Sequence, residues 1–144
     1  MIPRHQSHIR NVALLILLTL SAIGCRQPEY EVAEVDGTLT LQGQPGHKVH
    51  IEFVPDTGFK GPSASADTDA QGHFTLHLML RDGSAPPGAV VGHHRVTLSD
   101  LQLSESATGR GVPMRFGPQY ALVGTTPVKH EVKPGRQTIQ LKAP

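Results

Sequence analysis

The chain has 144 residues, with 15 Gly and 12 Pro against four Phe, two Tyr and no Trp. That leaves room for one compact core and favours many short strands joined by tight turns over long helices. Its 13 Lys and Arg against 12 Asp and Glu give a formal charge of +1, but Arg4 and Arg10 both lie at the start, so residues 25 to 144 carry 11 basic and 12 acidic side chains, a net of −1. No basic footprint for nucleic acid survives in that part of the chain, and no nucleic-acid partner is expected.

The first element in chain order is an export segment. Residues 1 to 10 hold Arg4 and Arg10 and no acid, Val12-Ala13-Leu14-Leu15-Ile16-Leu17-Leu18 is apolar, and the small residues Ser21, Ala22 and Gly24 close the stretch. A charged start, an apolar centre and a small-residue exit are the parts of a secretory signal helix. A transmembrane anchor is disfavoured, because the run Val12 to Ile23 is 12 residues long where a spanning helix needs about 20.

Cys25, the only cysteine, stands directly after Leu20-Ser21-Ala22-Ile23-Gly24. This run resembles the lipobox of bacterial lipoproteins, departing from it in Ala22, where Leu is commonest. The resemblance implies that residues 1 to 24 are a signal peptide cut away before Cys25, and that the Cys25 thiol carries diacylglycerol. Each buried methylene adds about 0.8 kcal/mol, so two or more acyl chains hold stably. Arg26 follows, where an Asp would favour inner-membrane retention under enterobacterial sorting rules, so the outer membrane is expected, with the leaflet left open.

Residues 25 to 33 then read as anchor and linker, and 34 to 144 as one domain. In Val35-Asp36-Gly37-Thr38-Leu39-Thr40-Leu41, Val35, Leu39 and Leu41 share a face opposite Asp36, Thr38 and Thr40, the alternation of a half-buried strand. Gln42 to Gly46 supplies a turn; Val49, Ile51 and Phe53 share the face of a second strand that Pro55 closes. A short edge-like run covers Ser63 to Asp67, and Thr68-Asp69-Ala70-Gln71-Gly72 turns into a strand where Phe74, Leu76, Leu78 and Leu80 alternate with His73, Thr75, His77 and Met79. Further strands are expected near Val91 to Ser99, at Val128 to Val132 and at Thr138 to Lys142, the last two joined by a hairpin turn at Lys133-Pro134-Gly135-Arg136. About seven short strands at turn spacings near 8 to 12 residues predict an all-β, seven-stranded β-sandwich. The stretch Asp100 to Gly124 is weakly patterned and long for a loop, so some ordered structure within it or an irregular excursion across one sheet is expected.

The order Val35 to Pro45, Val49 to Pro55, Thr68 to Phe74, Gly88 with His94-Arg95-Val96-Thr97-Leu98, Pro118-Gln119-Tyr120, Thr126-Pro127-Val128 and Val132 to Gly135 resembles planctomycete-type small lipoproteins with a carboxypeptidase regulatory-like, or transthyretin-like, domain. The resemblance spans nearly all of 34 to 144 and implies a transthyretin-like or Ig-like sandwich. It brings no catalytic set with it, and fold analogy is a weak warrant for function. Hydroxyisourate hydrolases of similar fold end in Tyr-Arg-Gly-Ser, whereas this chain ends Leu141-Lys142-Ala143-Pro144.

Seven histidines lie beyond the signal: His47, His50, His73, His77, His93, His94 and His130. His73 and His77 share a strand face but stand roughly 13 Å apart at about 3.3 Å per residue, too far for one ion, and His93 and His94 point to opposite faces. Scattered surface histidines are favoured over a site assembled across strands, so no metal site or cofactor is expected. Asp67-Thr68-Asp69-Ala70-Gln71-Gly72 resembles the start of an EF-hand loop, but Leu78 occupies the position of the bidentate Glu, so Asp69 and Gly72 read as turn residues. There is no Gly-x-Ser-x-Gly nucleophile motif, and no enzyme activity is expected. The remaining classes are a structural or protein-interaction module of the cell envelope and, as the alternative, a ligand-binding module for glycans or small molecules. Glycan platforms need exposed aromatics, and Tyr30, Phe59, Phe116 and Tyr120 are better explained as loop packing. No ligand-binding residue is assigned; Cys25, as the membrane anchor, is the one functional position.

Overall fold

The computed structural model describes residues 29–105 and 113–144. The signal segment and Cys25 lie outside the described residues. The strands are β1 (Val32–Ala33), β2 (Val35–Leu41), β3 (Gln44–Pro45), β4 (Val49–Pro55), β5 (Ala64–Asp67), β6 (His73–Thr75), β7 (His77–Leu78), β8 (Ala89–Val90), β9 (Gly92–Asp100), β10 (Lys129–Val132) and β11 (Gln137–Ala143). A single helical turn, α1 (Leu101–Glu105), follows β9, and a 3-10 turn, Pro118–Ala121, precedes β10. Burial alternates along β2, β4 and β11. Since successive side chains of a strand point to opposite faces, Leu39, Leu41, Val49, Ile51, Phe53, Ile139 and Leu141 converge on one core.

The protein is an all-β sandwich. One sheet has the order β10-β9-β4-β5-β7, the other β11-β2-β3, with β6 also on β2. Among the described residues every pairing is antiparallel except β11 on β2, which runs parallel from Gln137 opposite Val35 to Ala143 opposite Leu41. The seven strands expected from the alternation are all present, the run from His73 counting as one strand that serves both sheets. Its first part pairs with β2, Phe74 opposite Gly37, and its second part pairs with β5, Leu78 opposite Ala64. Leu76 sits at the corner, fully buried; its N–H donates to the Val35 carbonyl at 3.0 Å and its carbonyl accepts from the Gly88 N–H at 2.7 Å. Gly37 explains itself here: a Cβ at that position would come within 2.5 Å of the Phe74 ring and 2.8 Å of the Ile139 carbonyl oxygen, so the bare backbone is what lets the ring lie across the strand.

Two features differ from the sequence reading. The domain starts before Glu34, because Val32–Ala33 pairs with Ala89–Val90, Ala33 is buried and Tyr30 packs on the core. The turn at Lys133 to Arg136 is not a hairpin: β10 and β11 belong to different sheets, and the turn crosses between them. Two contacts draw β11 to β2, the Gln137 N–H donating to the Glu34 carbonyl at 3.0 Å and Arg136 reaching Asp36 at 3.2 Å. Short-range turn propensity does not say which sheet the next strand will join.

The stretch Asp100 to Gly124, of which residues 106–112 lie outside the described residues, holds ordered structure as expected, in α1 and the 3-10 turn Pro118–Ala121. Its return is fixed by Arg115, whose fork donates to both Asp100 carboxylate oxygens at 2.6 and 2.8 Å and to the His47 and Lys48 carbonyls at 2.7 and 3.1 Å. The chain then buries Tyr120 beside Phe116 and Thr126 beneath β9, the Thr126 hydroxyl donating to the Val96 carbonyl at 2.6 Å. Burial pushes the Asp100 carboxyl up, and the Arg115 guanidinium with the Gln102 N–H outweighs it, holding it below the usual carboxylate range.

Phe74 is buried and its neighbour His73 is exposed. Urea melts are therefore expected to place Phe74→Ala about 3 to 5 kcal/mol below the parent and His73→Ala within about 0.5 kcal/mol of it. Equal losses would mean that the register is wrong. In the same assay Arg115→Ala, which leaves the enclosed Asp100 carboxylate without its cation, is expected to cost about 3 kcal/mol.

Candidate functional site

Spacing along one strand kept the histidines apart; the pairing of two strands brings two of them together. Antiparallel register sets His130 of β10 directly opposite His94 of β9. Both side chains lie on the inner face of their sheet, and the Phe53 ring of β4 contacts both, with centroids 5.7 and 5.9 Å away. His93 points the other way, exposed, edge-on to Phe59 at 5.4 Å. The expected opposition of His93 and His94 is what the strand displays.

His94 is 1 % exposed, and its Nδ1 lies 3.0 Å from the Gly92 carbonyl oxygen. A carbonyl only accepts, so Nδ1 carries the proton and Nε2 presents a lone pair. That Nε2 is buried with no partner among the described residues, and so is Nε2 of His130. Burial is the main cause lowering the pKa of both imidazoles; for His94 the Gly92 carbonyl opposes it while His130 and His93 reinforce it, and for His130 the Glu131 carboxylate opposes it. The pair borders a cleft of about 360 Å³ whose walls include Asp56, His93, Lys129 and Glu131. Asp56 is held as an anion, its pKa lowered by the Thr57 N–H at 2.8 Å and then by Arg95 at 3.2 Å.

Neutral His94, with its Nδ1–H committed to the Gly92 carbonyl, presents a free Nε2 lone pair that accepts a hydrogen bond, as from a buried water. Among the described residues no group of three or more His, Cys, Asp and Glu is arranged to hold a metal ion. The other histidines are dispersed: His50 Nδ1 meets Asp67 at 2.6 Å, His47 meets Gln102 at 2.8 Å, His77 Nδ1 meets the Ala85 carbonyl at 3.0 Å, and His73 lies 3.5 Å from Asp69. In the EF-hand-like run, Asp69 Oδ1 accepts the Gln71 and His73 N–H groups at 2.9 and 2.8 Å, and Gly72 has φ of +76°. These are the turn roles read from the sequence.

The aromatics divide in the same spirit. Tyr120 is buried, Tyr30 and Phe116 pack against the core, and Phe59 alone of the four is exposed. A second groove, about 390 Å³, runs between the facing edges of β10 and β11, lined by Tyr120, Pro127, Val128, Lys129 and His130 on one side and Gln140, Leu141 and Lys142 on the other. Cys25 lies outside the described residues.

The chain matches no family model and no curated protein. Two solved structures are similar to it in shape. A DUF3823 family protein from Parabacteroides merdae is 19 % identical with a TM-score of 0.42, over 79 % of this chain and 46 % of its own. A 9R-lipoxygenase from Cyanothece is 11 % identical with a TM-score of 0.29, over 90 % of this chain and 22 % of its own. The chain thus spans under half the length of either, and neither likeness carries an argument about activity.

The histidine pair fixes the sign of a pH dependence. Both imidazoles titrate below the ordinary value of 6.5 when folded, so on acidification the unfolded chain takes up protons first. Their contribution is fully present above about pH 6.5 and is lost as the pH falls from there toward the lower folded values. The melting temperature is expected to drop between about pH 7.5 and about pH 5, and the double variant His94→Leu/His130→Leu to drop less. Identical slopes for parent and variant would rule the pair out as the cause.

Proposed function

We propose that this protein is a lipid-anchored envelope protein whose β-sandwich is a non-catalytic module for binding other proteins. The observation that carries the interaction reading is the open edge of β11. Seven residues long, it pairs among the described residues with β2 on one side only, and an unpaired strand edge is a ready template for another chain. The anchoring reading rests on Arg4, Arg10, the apolar run from Val12 and the lipobox-like residues before Cys25.

Position supports the combination. Val32 of β1 is seven residues beyond Cys25, a span of at most about 25 Å when extended, so an acylated Cys25 would hold the sandwich close to the bilayer. The alternative, a module for glycans, gains little: of the four loop aromatics only Phe59 is exposed, and it leans on His93. No nucleic-acid partner and no cofactor form part of this reading. Outer-membrane residence rests on Arg26 following Cys25.

Detergent phase partitioning of the full chain tests the anchor. The parent is expected in the detergent phase and Cys25→Ser in the aqueous phase, with the intact mass of the mature N-terminus reporting cleavage before Cys25 and the added acyl groups. Recovery of both proteins in the aqueous phase would refute it.

A further inference from the structure

We infer that the seam between β10 and β11 accepts an extended acidic peptide segment, added as a strand to β11. This rests on the interaction reading above and names the surface and the partner's chemistry. The parallel ladder with β2 uses the N–H and C=O groups of alternate β11 residues: the Gln137 N–H donates to the Glu34 carbonyl at 3.0 Å and the Ala143 carbonyl accepts from the Gln42 N–H at 3.0 Å. By that alternation Gln137, Ile139, Leu141 and Ala143 face β2. The backbone groups of Thr138, Gln140 and Lys142 face the open side, with no partner among the described residues.

The two terminal strands of the five-stranded sheet, β7 and β10, have blunted edges. On β7, the Leu78 N–H donates to the Pro86 carbonyl at 2.8 Å, and the loop before β8 covers that side. β10 is four residues long; Pro127, two residues before it, offers no N–H, and beyond its far end the Gln137 side chain engages the Lys133 backbone, its Nε2 2.8 Å from the Lys133 carbonyl. Natural edges are protected by such devices, and β11 has only Lys142.

Charge selects the occupant. Lys129 and Lys142 line the groove from its two sides with His130 between, and no carboxylate lines it. Glu131 is nearby on β10 but borders the histidine cleft. A second copy of this chain fits poorly: antiparallel pairing of two β11 edges about Gln140 sets Lys142 opposite Thr138 and gathers lysines from both copies at one seam. A peptide with acids on one face meets both lysines, and its alternate apolar side chains point inward toward Tyr120, Val128 and Leu141.

The test uses the full chain in detergent and a short fluorescent peptide of alternating valine and glutamate, beside its valine–lysine counterpart. Anisotropy is expected to show saturable binding of the glutamate peptide, weaker by about tenfold or more for the lysine peptide. Gln140→Pro removes an N–H that the β2 ladder does not use, so it is compatible with the fold and is expected to abolish binding. Lys129→Glu/Lys142→Glu should reverse the peptide preference. Binding unaffected by either variant, or no binding, would overturn the proposal, as would a chain that dimerises through this edge. Photo-crosslinking in cells from Gln140 and from Met79, exposed at the end of the other sheet away from β10, separates the two readings. Crosslinks to an envelope protein from Met79 alone would sink the seam and spare the interaction module, whereas none from either position would sink both.

Discussion

One strand has to serve two sheets, and the rest of the sandwich follows from how it does so. From His73 to Leu78 the chain leaves the side of β2 and joins the side of β5, with Leu76 at the corner held through both its backbone groups. The corner is possible because Phe74 can lie over Gly37, where any side chain would collide with the ring. Sharing a strand closes the sandwich on one side. Sheet order then leaves β10 and β11 facing each other across the opposite side without pairing, though they are neighbours in sequence. The seam is thus a topological consequence of the closed side.

Two polar features inside this frame meet burial in opposite ways. Asp100 is enclosed, but Arg115 donates to both its oxygens and also satisfies two carbonyls at the end of β4. A charge removed from water is tolerable when its hydrogen-bonding capacity is filled. His94 and His130 are the contrast, with buried Nε2 atoms that no described group meets. Their neutral forms limit the cost, which is why desolvation and not a charge partner governs their titration. The first feature tethers a long excursion; the second is the physical basis for the acid dependence expected of the inner face of β9 and β10.

The edge and the proposed anchor bear on each other. A free strand edge on a protein diffusing in solution invites uncontrolled pairing with any extended chain. Under the proposed reading, tethering near a bilayer would confine the set of chains that can reach it, and Lys129 and Lys142 at the seam would disfavour basic ones. An exposed edge is then a surface for a restricted partner.

Alternation along Val35 to Leu41, Val49 to Phe53 and Phe74 to Leu80 named the core faces and the seven strands, because a half-buried strand must alternate whatever it pairs with. Turn chemistry at Asp69 and Gly72 was equally legible, since an Asx side chain and a positive φ act within a few residues. The proposed signal segment and the proposed anchor at Cys25 rest on the sequence alone, as local patterns of charge and hydropathy. What only the tertiary structure decided is every relation between strands distant in the chain. Gln137 lies against Val35, so the turn at Lys133 is a crossing instead of a hairpin, and β11 is left with an open edge. His94 meets His130 through a register that no spacing of histidines encodes, and Arg115 finds Asp100 across a stretch without pattern. The physical reason is common to all three: periodicity fixes which side of a strand is buried, while the partner of that side is set by how two sheets share one core.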